Sequence, residues 1–494
     1  MTVETKVFVP LIIDGVDVKL LDESHTFTPD SQSACANKNI DVIAQVADIA
    51  QCHAAVDSCA RAFESWRTTR PATKRTLILK LAELLRSRST EILRTFKEEI
   101  HSTSLWADIN LEESILLIQE AAALVTSPCL AGSIPLSQDD EAQAFVFMEP
   151  LGVILGIAPW NSPLILGFRA CLPAIAAGNT VILKGSELSP RIHYFIASLF
   201  REAGFPPGVC NFILHRDIDA AHVFENLIGR QEVRKCNFTG STPVGRCIAS
   251  KAAMELKPCL MELGGKNFAV VLEDADVEQV AQLVCEGAFL NSGQICMSTD
   301  TVLVAHSIIA DFRRALLAII QDAQRAPEIT PLITSKAGNR VRHLVADAAI
   351  KGAIVHTISG SSTGSTAATD SARDSEAIVP ATLIEGVRPD MDIAIQEAFG
   401  PLLCLVPVAS ADEAVEIVNA CRYGLSSSIH TRDQYAALQL SKRMKVSATH
   451  VKGSTVHDQS TLPHGGHGDS GWGRFGGHWG LSEFVHTKTV VLNT

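Results

Sequence analysis

Between residues 150 and 275 short apolar runs alternate with helical stretches, and this alternation constrains the fold more than any other feature of the chain. Val153–Ala158, Thr180–Lys184, Asn211–Leu214, Lys235–Phe238 and Phe268–Leu272 read as strands. Ile165–Ala177, Arg191–Ala203, Ala220–Ile228 and Val244–Ala253 read as the helices between them. A strand–helix–strand repeat of this kind builds a parallel sheet. The expected class is α/β, with a doubly wound sheet that binds ligands beyond the carboxyl ends of its strands.

The flanking segments extend this plan. Residues 41–125 read as helical, with Leu77, Leu81, Leu84 and Leu85 on one apolar face. A second α/β region is expected over 263–460, with strands at Val302–Ala305, Ile378–Ile384 and Leu402–Pro407 and helices at Ile308–Ala326 and Ala411–Asn419. Ser359–Ser375, rich in Ser, Thr, Gly and Ala, reads as a surface loop. Gln143–Met148 and Lys488–Leu492 alternate or run apolar as exposed strands, of the sort that pair between subunits.

At 494 residues the chain needs two or three domains. Its net charge of −12 argues against nucleic acid as a general partner. The 13 cysteines fall outside CxxC pairs and read as reduced thiols, Cys171 and Cys285 among apolar neighbours. His464, His467 and His478 lie in a glycine-rich stretch with no common metal spacing, so that stretch reads as turn-rich and no metal is expected. No run of about 18 uncharged apolar residues predicts a membrane helix, and Met1–Gly15 has no secretory pattern. A cytoplasmic protein that engages no membrane is expected.

Two residues carry the chemistry. Cys296 ends Asn291-Ser-Gly-Gln-Ile-Cys296, and Glu262 lies upstream in Met261-Glu-Leu-Gly-Gly-Lys266. A thiol in an activating environment is a nucleophile, and a carboxylate can activate the water that breaks a covalent intermediate. No G-x-G-x-x-G follows a strand, but two weaker dinucleotide signals exist. Thr180–Lys184 ends in a cation followed by Glu187, an acid that can accept ribose hydroxyls. Phe238-Thr-Gly-Ser-Thr-Pro-Val-Gly245 runs from a strand into a helix N-terminus suited to a pyrophosphate.

Seven motifs stand in one order: Ile157-Ala-Pro-Trp160-Asn161, Lys184-Gly-Ser-Glu187, Gly240-Ser-Thr-Pro-Val-Gly245, Glu262-Leu-Gly-Gly265, Gly293-Gln-Ile-Cys296, Glu397-Ala-Phe399-Gly-Pro401 and Ser470-Gly-Trp-Gly-Arg474. Together they resemble the aldehyde dehydrogenase superfamily from about residue 40 to the C-terminus. The resemblance implies a Rossmann-type cofactor domain over 7–125 and 151–262, a catalytic domain over 263–460, and a small β oligomerisation element from 126–150 and 478–494. It implies that Cys296 attacks the aldehyde, that Asn161 and the Cys296 N–H hold the oxyanion, and that Glu262 activates water to hydrolyse the thioester left by hydride transfer. It assigns cofactor contacts to Ile157, Ala158, Trp160, Lys184, Glu187, Gly240, Ser241, Gly245, Leu263, Glu397 and Phe399. Glu187 favours NAD, with NADP left open, and a homodimer or a tetramer of dimers is implied.

A narrower likeness is to the salicylaldehyde and vanillin dehydrogenases. It rests on Gly293-Gln-Ile-Cys-Met-Ser-Thr299, on Pro159–Ala170 and on Gly453-Ser-Thr-Val-His-Asp458. It implies an aromatic aldehyde, with Trp106, Ser162, Arg169, Phe289 and His457 as the expected substrate pocket. The alternatives are an aliphatic or semialdehyde substrate, an acylating enzyme, or a non-catalytic oligomer. Four positions depart from the pattern: Gly185 stands for a common proline, His464 for a common phenylalanine, Gly468 for a common lysine and Lys452 for an asparagine. The first is expected to loosen the adenosine side.

Overall fold

The computed structural model describes residues 5–20, 25–31, 40–139, 141–322, 325–357 and 376–493. The Ser359–Ser375 segment lies outside them.

Five parallel strands form the centre of the first sheet: Cys259–Leu263, Val233–Gly240, Val153–Ile157, Thr180–Lys184 and Cys210–Ile213, in that spatial order. Their β-branched and leucine side chains are buried on both faces, as a sheet covered by helices on both sides requires. The chain starts at Val153–Ile157, winds outward through Thr180–Lys184 and Cys210–Ile213, then returns to Val233–Gly240 on the other side of its starting strand. Strand order therefore reverses between Val153–Ile157 and Val233–Gly240, where loops part and leave a crevice. The helices Pro163–Ala176, Pro190–Ala203, Ala220–Ile228 and Thr242–Met254 fall where the periodicity puts them, within a few residues.

The second sheet has seven strands, in the order Ile354–Thr357, Thr382–Glu385, Leu402–Val408, Thr299–Ala305, Asn267–Val271, Ser426–His430 and Ala448–Val451. The chain crosses from the first sheet to the second at Gly264-Gly-Lys266. It crosses back near its end, where Gly471–Trp472 pairs antiparallel with Met261 and Glu262. Gly471 has φ +104°, and a Cβ there would lie 2.2 Å from the Met261 carbonyl, so only glycine fits beside the Glu262 strand.

Several expectations need correction. Ile40–Gln45 is a strand of a small three-stranded sheet, so the helical region starts at Ile49. Leu11–Ile13 and Val16–Val18 add two antiparallel strands to the first sheet. On Pro71–Ser87 the fully buried face is Ile78, Leu81, Ala82 and Leu85, with Leu77 and Leu84 at its margin. The Ile378 strand starts only at Thr382, after Pro380, and the Ile308 helix stops at Gln321. The exposed strands expected at Gln143–Met148 and Lys488–Leu492 are present, as Gln143–Pro150 and Val485–Leu492, and they pair with each other within the chain as a two-stranded antiparallel arm.

Candidate active site

The crevice at the reversal point is a cleft of about 550 Å³. Pro159, Trp160 and Asn161 enter it from the end of one strand, and Thr239, Gly240, Ser241, Thr242 and Pro243 from the end of the next. The second sheet closes it with Gln396, Glu397 and Phe399. Trp160 and Phe399 meet edge to face, ring centroids 5.9 Å apart, and so tie the two sheets together. The 13-residue helix Thr242–Met254 points its N-terminus at the cleft, a site for phosphate oxygens.

A second cavity of about 190 Å³ lies on the other side of Cys296. Trp106, Ile109, Ile165, Leu290, Ile295, Met297 and Val456 give it an apolar lining, and Glu113, Arg169, His457, Asp458 and His464 a polar one. Asn161, Leu166 and Cys296 line both spaces. The thiol therefore sits where a ligand from each side would meet.

Local backbone sets this position. Asn291, Ser292 and Gly293 all have positive φ, at 51°, 55° and 72°. A Cβ on Gly293 would lie 2.2 Å from the Gly400 carbonyl. Strain at non-glycine residues is held here by surrounding contacts, as at many functional sites. Ser292 Oγ donates to the Thr330 carbonyl (3.0 Å), and Asn267 Nδ2 donates to the Cys296 carbonyl (2.8 Å).

Asn161 is fixed just as firmly. Its Nδ2 donates to the Gln294 carbonyl (3.1 Å), and its own carbonyl accepts from the Trp106 indole N–H (2.9 Å). Ser162 Oγ donates to Asn110 Oδ1 (2.7 Å), whose Nδ2 donates to the Trp106 carbonyl (3.0 Å). A buried, polar-satisfied cluster of this kind holds a side-chain amide in place.

Glu262 is fully buried at the cleft wall, and neither carboxylate oxygen has a hydrogen-bond partner among the described residues. Burial raises its pKa, but His464 and Arg169 outweigh burial and hold it below the usual carboxylate value. For Cys296, burial and the Glu262 carboxylate push the thiol well up, with Arg169 pulling the other way. The resting site thus pairs an ionised acid with a protonated thiol, and added positive charge nearby would favour the thiolate.

Arg169, from the helix Pro163–Ala176, makes a buried ion pair with Asp458 and stacks over Phe475, 5.7 Å from its centroid. Burial would raise Asp458, but Arg169 and His464 bring it down to about 2. His464 lies between the acids: Nδ1 is 3.7 Å from Asp458 Oδ1 and Nε2 is 3.9 Å from Glu262 Oε1.

The cofactor-side residues divide. Trp160, Gly240, Ser241, Glu397 and Phe399 face the cleft. Gly265 N–H donates to Glu397 Oε1 (2.9 Å), while Arg340 donates to the Glu397 and Ala398 carbonyls. Burial pushes Glu397 up to about 7 against the pull of Gly265 and Arg340. A Cβ on Gly264 would lie 2.2 Å from Glu397 Oε2, so a larger residue there would displace that carboxylate. Lys184 Nζ and Glu187 Oε2 lie 3.4 Å apart at the strand end beside the cleft. Ile157 and Ala158 complete the first strand and its exit, and Ala158 and Leu263 are buried.

Three expectations change. Phe289 is no pocket residue: it ends the helix Val277–Phe289 and is fully buried in the core of the second sheet with Phe312 and Leu403. Gly245 does not face the cleft either: a Cβ there would lie 2.5 Å from Leu263, so it brings helix close to strand. Gly185 leaves no gap in the packing, because His193 and Phe212 fill the space a Cβ would need, at 2.7 and 2.8 Å. Trp106, Ser162, Arg169 and His457 do come together, with His457 exposed at the mouth, 4.7 Å from the His450 ring centroid.

Asp458, His464, Glu113 and Arg340 also line the site, beyond the residues that the motifs assign. His464 and Asp458 carried signals, one as a departure from a motif and one within a motif. Glu113 and Arg340 carry none, because each sits inside a helix with no motif around it. Among the described residues no group of three or more His, Cys, Asp or Glu side chains could hold a metal, and no helix is long and apolar enough to cross a membrane. Every described cysteine is a free thiol.

Residues 28–490 match the aldehyde dehydrogenase family. The chain belongs to that family. It is an oxidoreductase that acts on aldehydes. It is 35% identical over 490 residues to the vanillin dehydrogenase of Pseudomonas fluorescens, covering 98% of each chain. It is 32% identical to the NAD(+) benzaldehyde dehydrogenase of Pseudomonas putida, covering 92% of each. Its fold is similar to a salicylaldehyde dehydrogenase from Pseudomonas putida G7 solved with salicylaldehyde, at TM-score 0.90 and 32% identity over 99% of this chain and 98% of that one.

Proposed function

We propose that this aldehyde dehydrogenase oxidises an aromatic aldehyde to its carboxylic acid with NAD. The observation that carries the reading is the pair of cavities sharing Cys296, Asn161 and Leu166. One suits a dinucleotide and the other a flat, partly polar ring. The similarity to vanillin, benzaldehyde and salicylaldehyde dehydrogenases supports the substrate class.

NAD bound in the cleft supplies the hydride acceptor. Lys184 and Glu187 would hold the adenosine ribose, Ser241 and the Thr242 helix the pyrophosphate, and Glu397 the second ribose. Glu187 repels a 2′-phosphate, which favours NAD over NADP. Once its proton has passed to solvent, a loss that positive charge in the occupied cleft would favour, the Cys296 thiolate sulfur bonds to the aldehyde carbon, and the Asn161 amide with the Cys296 N–H stabilises the oxyanion. Loss of hydride from that carbon leaves a thioester on Cys296. Glu262 removes a proton from water, the water oxygen bonds to the carbon, and the acid leaves. Glu262 also argues against passing the acyl group to coenzyme A, since a base that activates water would discard it. Arg169 is already paired with Asp458, which disfavours an aldehyde that carries a second carboxylate.

The arm Gln143–Pro150 with Val485–Leu492 is the proposed contact for a homodimer or a tetramer of dimers. A two-stranded ribbon is marginal alone, and Phe147, Val491 and Leu492 remain exposed on it. The test of function is a panel of kcat/KM values for salicylaldehyde, vanillin, benzaldehyde, a short aliphatic aldehyde and succinic semialdehyde, each with NAD and NADP. The expected order puts hydroxylated aromatic aldehydes with NAD first. Fast aliphatic turnover and slow aromatic turnover would overturn the substrate class.

A further inference from the structure

His464 has a place in the reaction that the chemistry above does not use. Its ring is buried at the wall of the aldehyde cavity, and Nε2 has no hydrogen-bond partner among the described residues. Opposite it, both oxygens of the fully buried Glu262 also lack partners. A buried imidazole nitrogen and a buried carboxylate left unpaired side by side cost stability. An apolar ring would fill the same space without that cost. On the far side, Nδ1 faces Asp458, whose side chain is 22% exposed and so reaches toward solvent. The 3.9 and 3.7 Å separations are just beyond hydrogen-bond reach, and such contacts often tighten when substrate binds.

We propose that His464, backed by Asp458, is the positioning residue that takes the proton from Glu262 during thioester hydrolysis and passes it toward solvent. The inference rests on Glu262 being the base for that step. Water oxygen bonds to the thioester carbon, its proton goes to Glu262, and the carbon–sulfur bond breaks with its electron pair left on Cys296. Neutral His464, with its hydrogen on Nδ1 toward Asp458, offers the Nε2 lone pair to the proton on Glu262. The imidazolium so formed lies against the Asp458 carboxylate. It loses its Nδ1 proton to solvent water on that side, and a turn of the ring brings the bare nitrogen back to Glu262 for the next cycle. The other charged and titratable groups around these residues are Arg169 from its helix, Glu113 from Ser104–Leu124, Cys296 from the strained loop, Glu397 across the cleft, His457 at the cavity mouth, and His450 from the neighbouring strand Ala448–Val451.

The test uses the full-length enzyme with NAD and salicylaldehyde, and reads the NADH burst and the following steady rate separately. His464→Phe keeps a ring of similar shape and removes both nitrogens. The expected result is an intact burst, with the steady rate about tenfold to a hundredfold lower. The acid limb of the steady rate should also change position, because the proton acceptor beside Glu262 is gone. His464→Ala should be slow in the same step and regain its rate when imidazole is added. A His464→Phe enzyme with the wild-type steady rate and pH profile overturns the inference, as does a slow His464→Ala enzyme that imidazole fails to rescue. Absence of any burst in the wild-type enzyme overturns the role of Cys296 itself, and this inference with it.

Discussion

The two spaces that meet at Cys296 are built in opposite ways. The cofactor cleft arises from topology: two adjacent parallel strands part where the sheet reverses its order, and loops at their ends line the gap. Its walls are contiguous tripeptides and pentapeptides, such as Pro159–Asn161 and Thr239–Pro243. The aldehyde cavity arises from packing of distant segments, drawn from residues 106–113, 161–169, 290–297 and 456–464. Its polar groups are crowded, with Arg169, Asp458, His464 and Glu113 around a small volume. A cleft made by topology tolerates change in side chains, whereas a cavity made by packing is rewritten by single substitutions.

The sharpest way to break this contrast is at the shared residue. Cys296→Ala should abolish aldehyde oxidation, a loss of about 10⁴-fold or more in kcat, while NAD affinity measured by calorimetry stays near wild type. Loss of NAD binding would mean that the two spaces are not separable. Glu262→Gln should lower the steady rate by about 10²–10⁴-fold. Asn161→Ala should cost about 10²–10³-fold in kcat, because one oxyanion donor is lost. An increase in KM alone would limit Asn161 to ground-state binding.

On the packed side, Arg169→Met leaves Asp458 partly buried and unpaired. About 3–5 kcal/mol of stability should be lost by urea unfolding at pH 7, toward the lower end because Asp458 keeps some solvent contact. Asp458 is held down to about 2, so its stabilisation is present above the ordinary carboxylate pKa and lost as pH falls through that value toward about 2. The gap between wild type and Arg169→Met should therefore narrow on acidification, and a constant gap would point to lost packing on Phe475 instead. The smallest effect belongs to the topological side. Glu187→Ala should raise kcat/KM with NADP relative to NAD by about tenfold, roughly 1.4 kcal/mol, with little change in stability.

The same contrast explains what the amino-acid sequence revealed. Thr180–Lys184 and Ala220–Ile228 were legible to the residue, because apolar period and flanking turn residues act locally. Trp160, Gly240, Glu397 and Phe399 were legible through short motifs at strand ends. Ile40–Gln45 was hidden beside a long helical region, and its strand character depends on pairing with Thr5–Val9. Phe289 lies shortly before the nucleophile loop, yet it ends a helix that directs its ring into the core. Gly245 follows the phosphate-type turn but serves helix packing on Leu263. Nothing local marks Glu113 or Arg340, since one reaches the aldehyde cavity and the other the cofactor cleft only once distant segments close together.

The central claim is that one residue, Cys296, carries the acyl group between two chemically distinct steps. Stopped-flow NADH formation by Glu262→Gln with salicylaldehyde and NAD tests it most directly. The account predicts a burst of about one NADH per active site at close to the wild-type rate, followed by a steady rate lowered by about 10²–10⁴-fold. Equal slowing of the burst and the steady rate would contradict it, because Glu262 would then act before the thioester exists.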